Sequence, residues 1–323
     1  MKKILSLTFL LFLLSSVTFA EAIDIINFNS VLPKSKKNTK STNQRYFNNS
    51  AARQNDSNEY SFAEKKKTKK IPDIEVSEND GMYIIKLNTK KIGNRFKPYY
   101  VTNLKTSREV FDETNARLVI NAGFFDPKNH QTVSYLTLDG KGILNPNSNK
   151  SLVENEYLKP YLNKILNRSE LRVLQSESDG SFLYDIVPHN EPIPDGYKIL
   201  HSIQGGPALA PILRLEEEFF VLTDNEGKII SQSASSLSKY ARTLVGIKNN
   251  DIYFVIATKS KPITLIEASN IMKAAGFSKA MAYDGGGSVS VDYRDKNLHI
   301  ISDKNETARK LKSFWVVMPA DKE

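Results

Sequence analysis

The 323-residue chain has no cysteine. Disulfides, cysteine-based zinc sites and a lipidated cysteine are therefore excluded, and the fold must be held by its core alone. Histidine is scarce as well. His130, His189, His201 and His299 are scattered, with no His-x-His or His-Glu-x-x-His spacing, so each reads as a surface or packed residue and a catalytic metal has little support. A Gly-x-Ser-x-Gly elbow, the mark of one large class of serine hydrolases, is missing too. Beyond the first twenty or so residues no apolar run is long enough to span a bilayer. Nor is there a basic surface for nucleic acid. The net charge is +9, but residues 1–72 hold 13 Lys and Arg against 5 Asp and Glu, so the rest of the chain is close to neutral.

What is present begins with a leader. Met1-Lys2-Lys3 and the apolar stretch Ile4 to Leu14 have the layout of a secretory signal. Cleavage fits after Ala20, or after Ala22, and implies a periplasmic or extracellular protein. From 21 to 72 the chain is rich in Asn, Ser, Lys and Gln and follows no sustained period. Such a segment buries too little apolar surface to offset its ordering entropy and is expected to be a disordered basic linker. Its densest run, Lys65-Lys66-Lys67-Thr68-Lys69-Lys70, is a solvated tether or a loose contact for anionic envelope surfaces.

Folding is expected over 73–323. Strand-like runs recur at Met82–Leu87, Tyr99–Asn103, Arg117–Asn121, Val133–Leu138, Phe182–Val187 and Phe219–Leu222. They continue at Thr243–Ile247, Ile252–Ala257, Lys279–Tyr283, Ser288–Tyr293 and Ser313–Met318. Two helices have clear starts. Ser151-Leu152-Val153-Glu154 is a capping box whose stripe continues through Leu158, Tyr161, Leu162 and Ile165, with Pro160 kinking or splitting it. Thr264-Leu265-Ile266-Glu267 opens the second, which Gly276 stops. The order strand, helix, strand over 252–283 allows one parallel crossover. Most neighbours read as antiparallel, so the class is α+β: a mixed, largely antiparallel sheet core with packed helices in one globular domain.

The most informative segment is Asp284-Gly285-Gly286-Gly287-Ser288, which joins strand to strand. A phosphate-binding P-loop or a dinucleotide fingerprint would need a helix next, so neither applies. Bare glycine backbone lets an anionic oxygen approach N–H groups closely, with the Asp284 carboxylate at its lip. The plain alternative is a tight Asp-Gly hairpin turn. Upstream lie Asn121-Ala122-Gly123-Phe124-Phe125-Asp126, Gln204-Gly205-Gly206-Pro207, Arg242-Thr243-Leu244-Val245-Gly246-Ile247 and Thr264-Leu265-Ile266-Glu267-Ala268. This ordered set, over about residues 80–318, resembles the phosphodiester glycosidase family. Ala122 stands where the family usually has Gly, and Tyr283 where it usually has Leu. The polar segment between Lys150 and Pro194 carries no family motif.

The resemblance implies a hydrolase that parts a sugar's anomeric carbon from a phosphodiester. One carboxylate plus phosphate stabilisation can suffice for that bond, because the leaving phosphate oxygen is weakly basic. The candidate catalytic residues are Asp284 as nucleophile or base, then Glu267 beside a helix start, Arg242 as a two-pronged phosphate clamp and Asn121 as an amide donor. Candidate substrate contacts are Gln204, Gly205, Gly206, Thr243, Gly285, Gly286, Gly287 and Ser288, with Phe124 as a stacking face and Ser134 as a hydrogen-bonding group. Phe124 and Phe125, an aromatic pair beside a strand, more often read as core, and Asp126 closes a loop with Pro127. Asn121, Gln204, Arg242 and Asp284 are expected to converge on one pocket. No cofactor is required by these residues; a divalent cation helping the phosphate leave stays open. The expected ligand is a carbohydrate or sugar phosphate, in envelope or exopolysaccharide material. A binding module that kept the pocket without turnover, and an envelope protein acting through its basic tail, are the alternatives.

Overall fold

The computed structural model describes residues 72–79, 81–233 and 236–320. The leader expected over 1–20 and, apart from Pro72, the linker expected over 21–72 lie outside the described residues.

Three antiparallel sheets enclose one core. The first has six strands in the order Ile74–Asn79, Met82–Leu87, Asp251–Ala257, Arg242–Lys248, Lys279–Ala282, Ala208–Ala210. The second has five: Leu298–Ile301, Ser290–Tyr293, Leu118–Asn121, Leu311–Val317, Phe96–Lys105. The third has Lys141–Leu144, Leu136–Leu138, Tyr197–Gln204, Ser169–Ser176 and Phe182–Pro188. A small hairpin pairs Val221–Thr223 with Ile229–Gln232. Every pairing is antiparallel. The class is thus α+β and mostly β, as the alternating runs require.

Inner faces of all three sheets meet in a shared core. Ile85 and Phe254 come from the first, Phe96, Ile120 and Trp315 from the second, and Leu171 and Ile203 from the third. Trp315 stacks on Phe96 with ring centroids 4.4 Å apart. Its indole N–H donates to the Tyr283 hydroxyl at 2.7 Å, and that hydroxyl donates to the Ile203 carbonyl at 3.2 Å. Trp315 belongs to the second sheet, Tyr283 follows a strand of the first and Ile203 belongs to the third. Two hydrogen bonds therefore tie three sheets, with each buried polar atom satisfied. Tyr283 uses a hydroxyl that a leucine would not have.

Helices cover outer faces. Leu265–Ala274 has the capping box the sequence predicts: Glu267 N–H donates to Thr264 Oγ1 at 3.0 Å, and Thr264 N–H to Glu267 Oε2 at 2.8 Å. Gly276, at φ +76°, ends the turn that follows. Ser107–Thr114 packs Val110 and Phe111 against Val119, Phe314 and Val316 of the second sheet. Among the described residues no helix is long and apolar enough to cross a membrane.

Three local expectations change. The strands Asp251–Ala257 and Lys279–Ala282 do run parallel, but Arg242–Lys248 lies between them and pairs antiparallel with both. The Ser151–Glu154 box does not form. The short helix is Lys150–Val153, with Asn149 at its N-cap and no side-chain cap, because the Ser151 hydroxyl is taken by the Asn129 amide at 3.0 Å. A separate turn at Lys159–Tyr161, with Pro160 near its start, precedes the helix Leu162–Leu166, so the proline splits the stripe. The Asp284–Ser288 turn is not a hairpin. Lys279–Ala282 before it belongs to the first sheet and Ser290–Tyr293 after it to the second, so the glycines carry the chain across a seam between sheets.

Candidate active site

That seam is where strand ends converge. Leu118–Asn121 ends there in the second sheet and Tyr197–Gln204 in the third, while Arg242–Lys248 begins there in the first. A cleft of about 520 Å³ opens over the junction. Residues 282–287 line it. Arg242 and Arg309 flank the glycine turn, and Arg168, Phe124, Phe125, Phe220 and Tyr240 also line the cleft. Asp284 is the one acidic side chain among the described residues that line it.

Asp284 is held by its backbone and aimed by its neighbours. Its N–H donates to the Ala122 carbonyl at 3.1 Å, and its carbonyl accepts from Asn121 Nδ2 at 2.7 Å. Burial pushes the carboxyl up to about 6, although hydrogen bonds from Ser288 and the Gly285 N–H, and the charge of Arg309, favour the ionised form. Enclosure thus wins over three stabilising neighbours, and the group sits near neutrality where a base is useful.

The three glycines divide their donors. Gly285 N–H serves the Asp284 carboxylate, and Gly286 N–H donates to the Ala241 carbonyl at 2.8 Å. Gly287 faces the cleft, exposed, with the Arg309 guanidinium 3.7 Å from where a Cβ would lie. Arg309 Nη1 also donates to Ser288 Oγ at 3.3 Å. On the other flank, a Cβ on Gly285 would lie 3.7 Å from Arg242 Nη1 and 2.9 Å from the Ala241 carbonyl oxygen. Arg242 donates from Nε to the Ile263 carbonyl at 3.1 Å and from Nη2 to the Ser238 carbonyl at 2.9 Å. Burial lowers its guanidinium to about 10, so it remains a cation at neutral pH.

Several residues expected at the substrate serve the scaffold instead. Asn121 is fully buried: its Oδ1 accepts from Thr243 Oγ1 at 2.6 Å and from Ser290 N–H at 3.1 Å, while its amide holds Asp284. Thr243 is consumed in that bond. Gln204, also buried, donates to the Leu166 and Arg168 carbonyls at 2.8 and 3.1 Å. Gly205 and Gly206 give their N–H groups to the Ser169 and Ala282 carbonyls, both at 2.8 Å, so neither faces a ligand as a donor. Glycine is still required at both. A Cβ on Gly205 would lie 2.6 Å from the Ala282 carbonyl oxygen, and one on Gly206, at φ +104°, would lie 2.3 Å from Glu218 Oε2. Ser134 Oγ accepts from Phe124 N–H at 2.8 Å and so holds the backbone there. Glu267 points to its own helix start and to Lys239 at 3.2 Å. Burial would raise its carboxyl, but the Thr264 N–H and Lys239 hold it below the usual value. Of the four residues expected to converge, Arg242 and Asp284 line the cleft, and Asn121 and Gln204 support it from behind.

Three charged residues escape the sequence reading. Arg309 lies in a charged coil that looks like surface. Arg168 and Glu218 are 50 positions apart and meet only in the fold: Arg168 Nε donates to the Glu218 carbonyl at 2.9 Å. The Glu218 carboxyl accepts from Ser169 N–H and Oγ at 3.1 and 2.7 Å and from Ala208 N–H at 3.1 Å, pinning the Gly205–Ala208 passage. The Arg168 guanidinium lies 4.1 Å from the Phe220 ring centroid and 5.7 Å from that of Phe124. Among the described residues no three His, Asp or Glu side chains gather to hold a metal ion.

One enclosed carboxylate, a flanking pair of guanidinium groups and aromatic lining side chains suit an anionic sugar derivative. A family model described as phosphodiester glycosidase matches residues 114–318. The catalytic domain of zebrafish N-acetylglucosamine-1-phosphodiester alpha-N-acetylglucosaminidase, auto-inhibited by its pro-peptide, is similar over 76% of this chain and 81% of that one, at 12% identity and a TM-score of 0.51. A hypothetical protein from Synechocystis is similar over 75% of this chain, at 12% identity and a TM-score of 0.50; the match spans 61% of that protein. A putative exported protein from Burkholderia pseudomallei overlaps 74% of each chain, at 11% identity and a TM-score of 0.49. No curated protein matches. At such identities the structural likeness shows the shared fold, and the family rests on the model, which spans well over half of the chain. The chain belongs to the phosphodiester glycosidase family.

Proposed function

We propose that this protein is an exported hydrolase that breaks the bond between a sugar's anomeric carbon and the phosphate of a glycosyl phosphodiester. The observation that carries the reading is Asp284: one carboxylate, near pKa 6, in a cleft whose other charged lining groups are arginines. The phosphate sits at the Gly287 N–H between Arg242 and Arg309, and the sugar ring lies beside it in the cleft. Asp284 then faces the anomeric carbon, as nucleophile or as base for water. The C–O bond breaks with its electron pair leaving on the phosphate oxygen. The hydroxyl of water ends on the anomeric carbon, its proton passes through Asp284 to solvent, and a phosphomonoester departs. That leaving oxygen is weakly basic, so guanidinium charge does the work a proton donor does in ordinary glycosidases. Asn121, Gln204, Thr243 and Glu218 position the cleft and touch no substrate. The secretory-signal layout of residues 1–20 supports export.

The phosphate assignment is tested with two leaving groups. Arg309 is exposed and its hydrogen bond to Ser288 is a long one, at 3.3 Å, so Arg309→Gln should fold normally. Cleavage of a glycosyl phosphodiester should fall roughly tenfold to a hundredfold, less than for an enclosed donor because solvent screens the charge. A glycosyl fluoride of the same sugar carries no phosphate, and its hydrolysis should fall far less. Equal losses on both substrates would remove Arg309 from phosphate binding.

A further inference from the structure

A second cavity, of about 270 Å³, adjoins the cleft, and Pro127, Val133, Arg168 and Ser233 line both. Beyond that shared boundary the walls turn apolar, with Leu152, Leu158, Ile165 and Phe219. Leu152, Leu158 and Ile165 come from the stretch after Lys150 in which the sequence shows no family motif. Leu152, Ile165 and Phe219 form a small hydrophobic cluster of their own, backed by Tyr161, whose ring stacks on Phe219 at 4.3 Å. Phe219 is held at φ +55°, a left-handed backbone that a bulky side chain rarely adopts. Such strain persists only where the surroundings enforce it, and here it presents an aromatic ring to the cavity.

The polar groups at the edge of this cavity, Asp126, Asn149, Ser151 and Ser233, each bond to neighbouring protein atoms. Asn149 donates to the Thr132 carbonyl at 3.2 Å and accepts from Asn129 at 3.0 Å; Ser151 also accepts from Asn129 at 3.0 Å. Asp126 Oδ1 accepts from Lys128 N–H at 2.8 Å, and the Ser233 hydroxyl donates to the Phe220 carbonyl at 3.3 Å. A sugar set against Leu152, Leu158, Ile165 and Phe219 would leave the hydroxyls on that side without partners, a cost of about 1–3 kcal/mol for each group. A hydrocarbon loses nothing. The space exceeds the roughly 150 Å³ apolar cavity that admits benzene.

We propose that this annex takes the hydrocarbon of the alcohol on the far side of the phosphate, so that the preferred substrate is a glycosyl phosphodiester of a lipid-like alcohol. This rests on the hydrolase reading above. Arg168, at the boundary and over the Phe220 ring, marks where the phosphate's second ester arm turns from the charged cleft into apolar surface.

The test uses the full-length protein and synthetic phosphodiesters of one sugar whose second alcohol is methyl, butyl or octyl. The kcat/KM should rise with chain length, by up to about fourfold per methylene buried, until the annex is filled. In Leu158→Arg the octyl-to-methyl ratio should collapse toward one. Cleavage that does not depend on chain length in the wild-type protein would overturn the annex proposal and leave the hydrolase reading standing. No cleavage of any member would overturn both. A rising series that Leu158→Arg, shown folded by circular dichroism, leaves intact would place the hydrocarbon elsewhere and overturn the assignment to this cavity.

Discussion

Replacing Asp284 with Asn abolishes most turnover while leaving the protein at least as stable as before; that paired outcome is expected from the environment of one carboxyl. Asn keeps the volume and the turn but supplies neither a nucleophile nor a base, so glycosyl phosphodiester cleavage should fall roughly a hundredfold to ten-thousandfold. The stability half follows from linkage. In the unfolded chain the carboxyl titrates near its usual 3.8, and in the fold near 6. Between those values the folded state holds a proton that the unfolded state has lost. Stability therefore falls as pH rises through that window and stays low above it. The gap is worth at most about 3 kcal/mol, and the ionised group is what the fold bears at neutral pH. The amide of Asp284→Asn carries no charge to enclose, so thermal denaturation of that variant at pH 7 should show an unchanged or raised Tm. The difference from wild type should vanish near pH 4. Wild-type kcat/KM should rise through about pH 6 to a plateau, since the ionised form acts. A variant that loses activity because it unfolds at pH 7 would contradict this account.

The second large effect is expected at Asn121, and on stability first. Its side chain makes three bonds in a site from which water is excluded: to the Asp284 carbonyl, from Thr243 and from Ser290. Asn121→Ala strands those partners. Each unsatisfied buried group costs about 1–3 kcal/mol, and because neighbours relax together the total should be about 3–5 kcal/mol. For a folded region of this size that lowers Tm by roughly 10 °C or more. Asn121→Asp keeps the acceptor for Thr243 and Ser290 but sets an oxygen against the Asp284 carbonyl, and should destabilise by a comparable amount. Activity measured well below the transition should fall in both, with Asp284 displaced. Were Asn121 instead a substrate contact, Asn121→Ala would lower kcat/KM and leave the denaturation midpoint unmoved.

These two residues also show what the sequence can reveal. Asn121 and Asp284 sit at strand ends close to glycines and Arg242 opens a strand, and such strand ends are visible in a linear pattern. Their order along the chain is what carries the family resemblance. What a residue does once placed is not visible there. Asn121 and Gln204 look like ligand-binding amides, yet buried amides at a three-sheet junction are claimed by backbone groups that only the fold brings near. The strand Ser169–Ser176 is hidden for a similar reason. Glu170 and Arg172 interrupt its apolar letters, but both are buried and paired at 2.6 Å, so polar residues occupy a central strand. The helix Ser107–Thr114 carries a legible signal that the pattern of strand-like runs overshadows. Thr106 and Glu109 form a full capping box, with Glu109 N–H on Thr106 Oγ1 at 3.2 Å. Arg309 offers no signal, since its role depends on Gly287 folding back against it.

The central claim is that the bond broken lies between carbon and oxygen at the sugar, and it is tested most directly by where the oxygen of water ends. A synthetic glycosyl phosphodiester is cleaved by the wild-type protein in water enriched in the heavy oxygen isotope. Phosphorus NMR and mass spectrometry then follow both products. The account predicts an unlabelled phosphomonoester and a sugar carrying the label at its anomeric hydroxyl, with neither formed at a comparable rate by Asp284→Asn. Label in the phosphate would mean attack at phosphorus, and would contradict it.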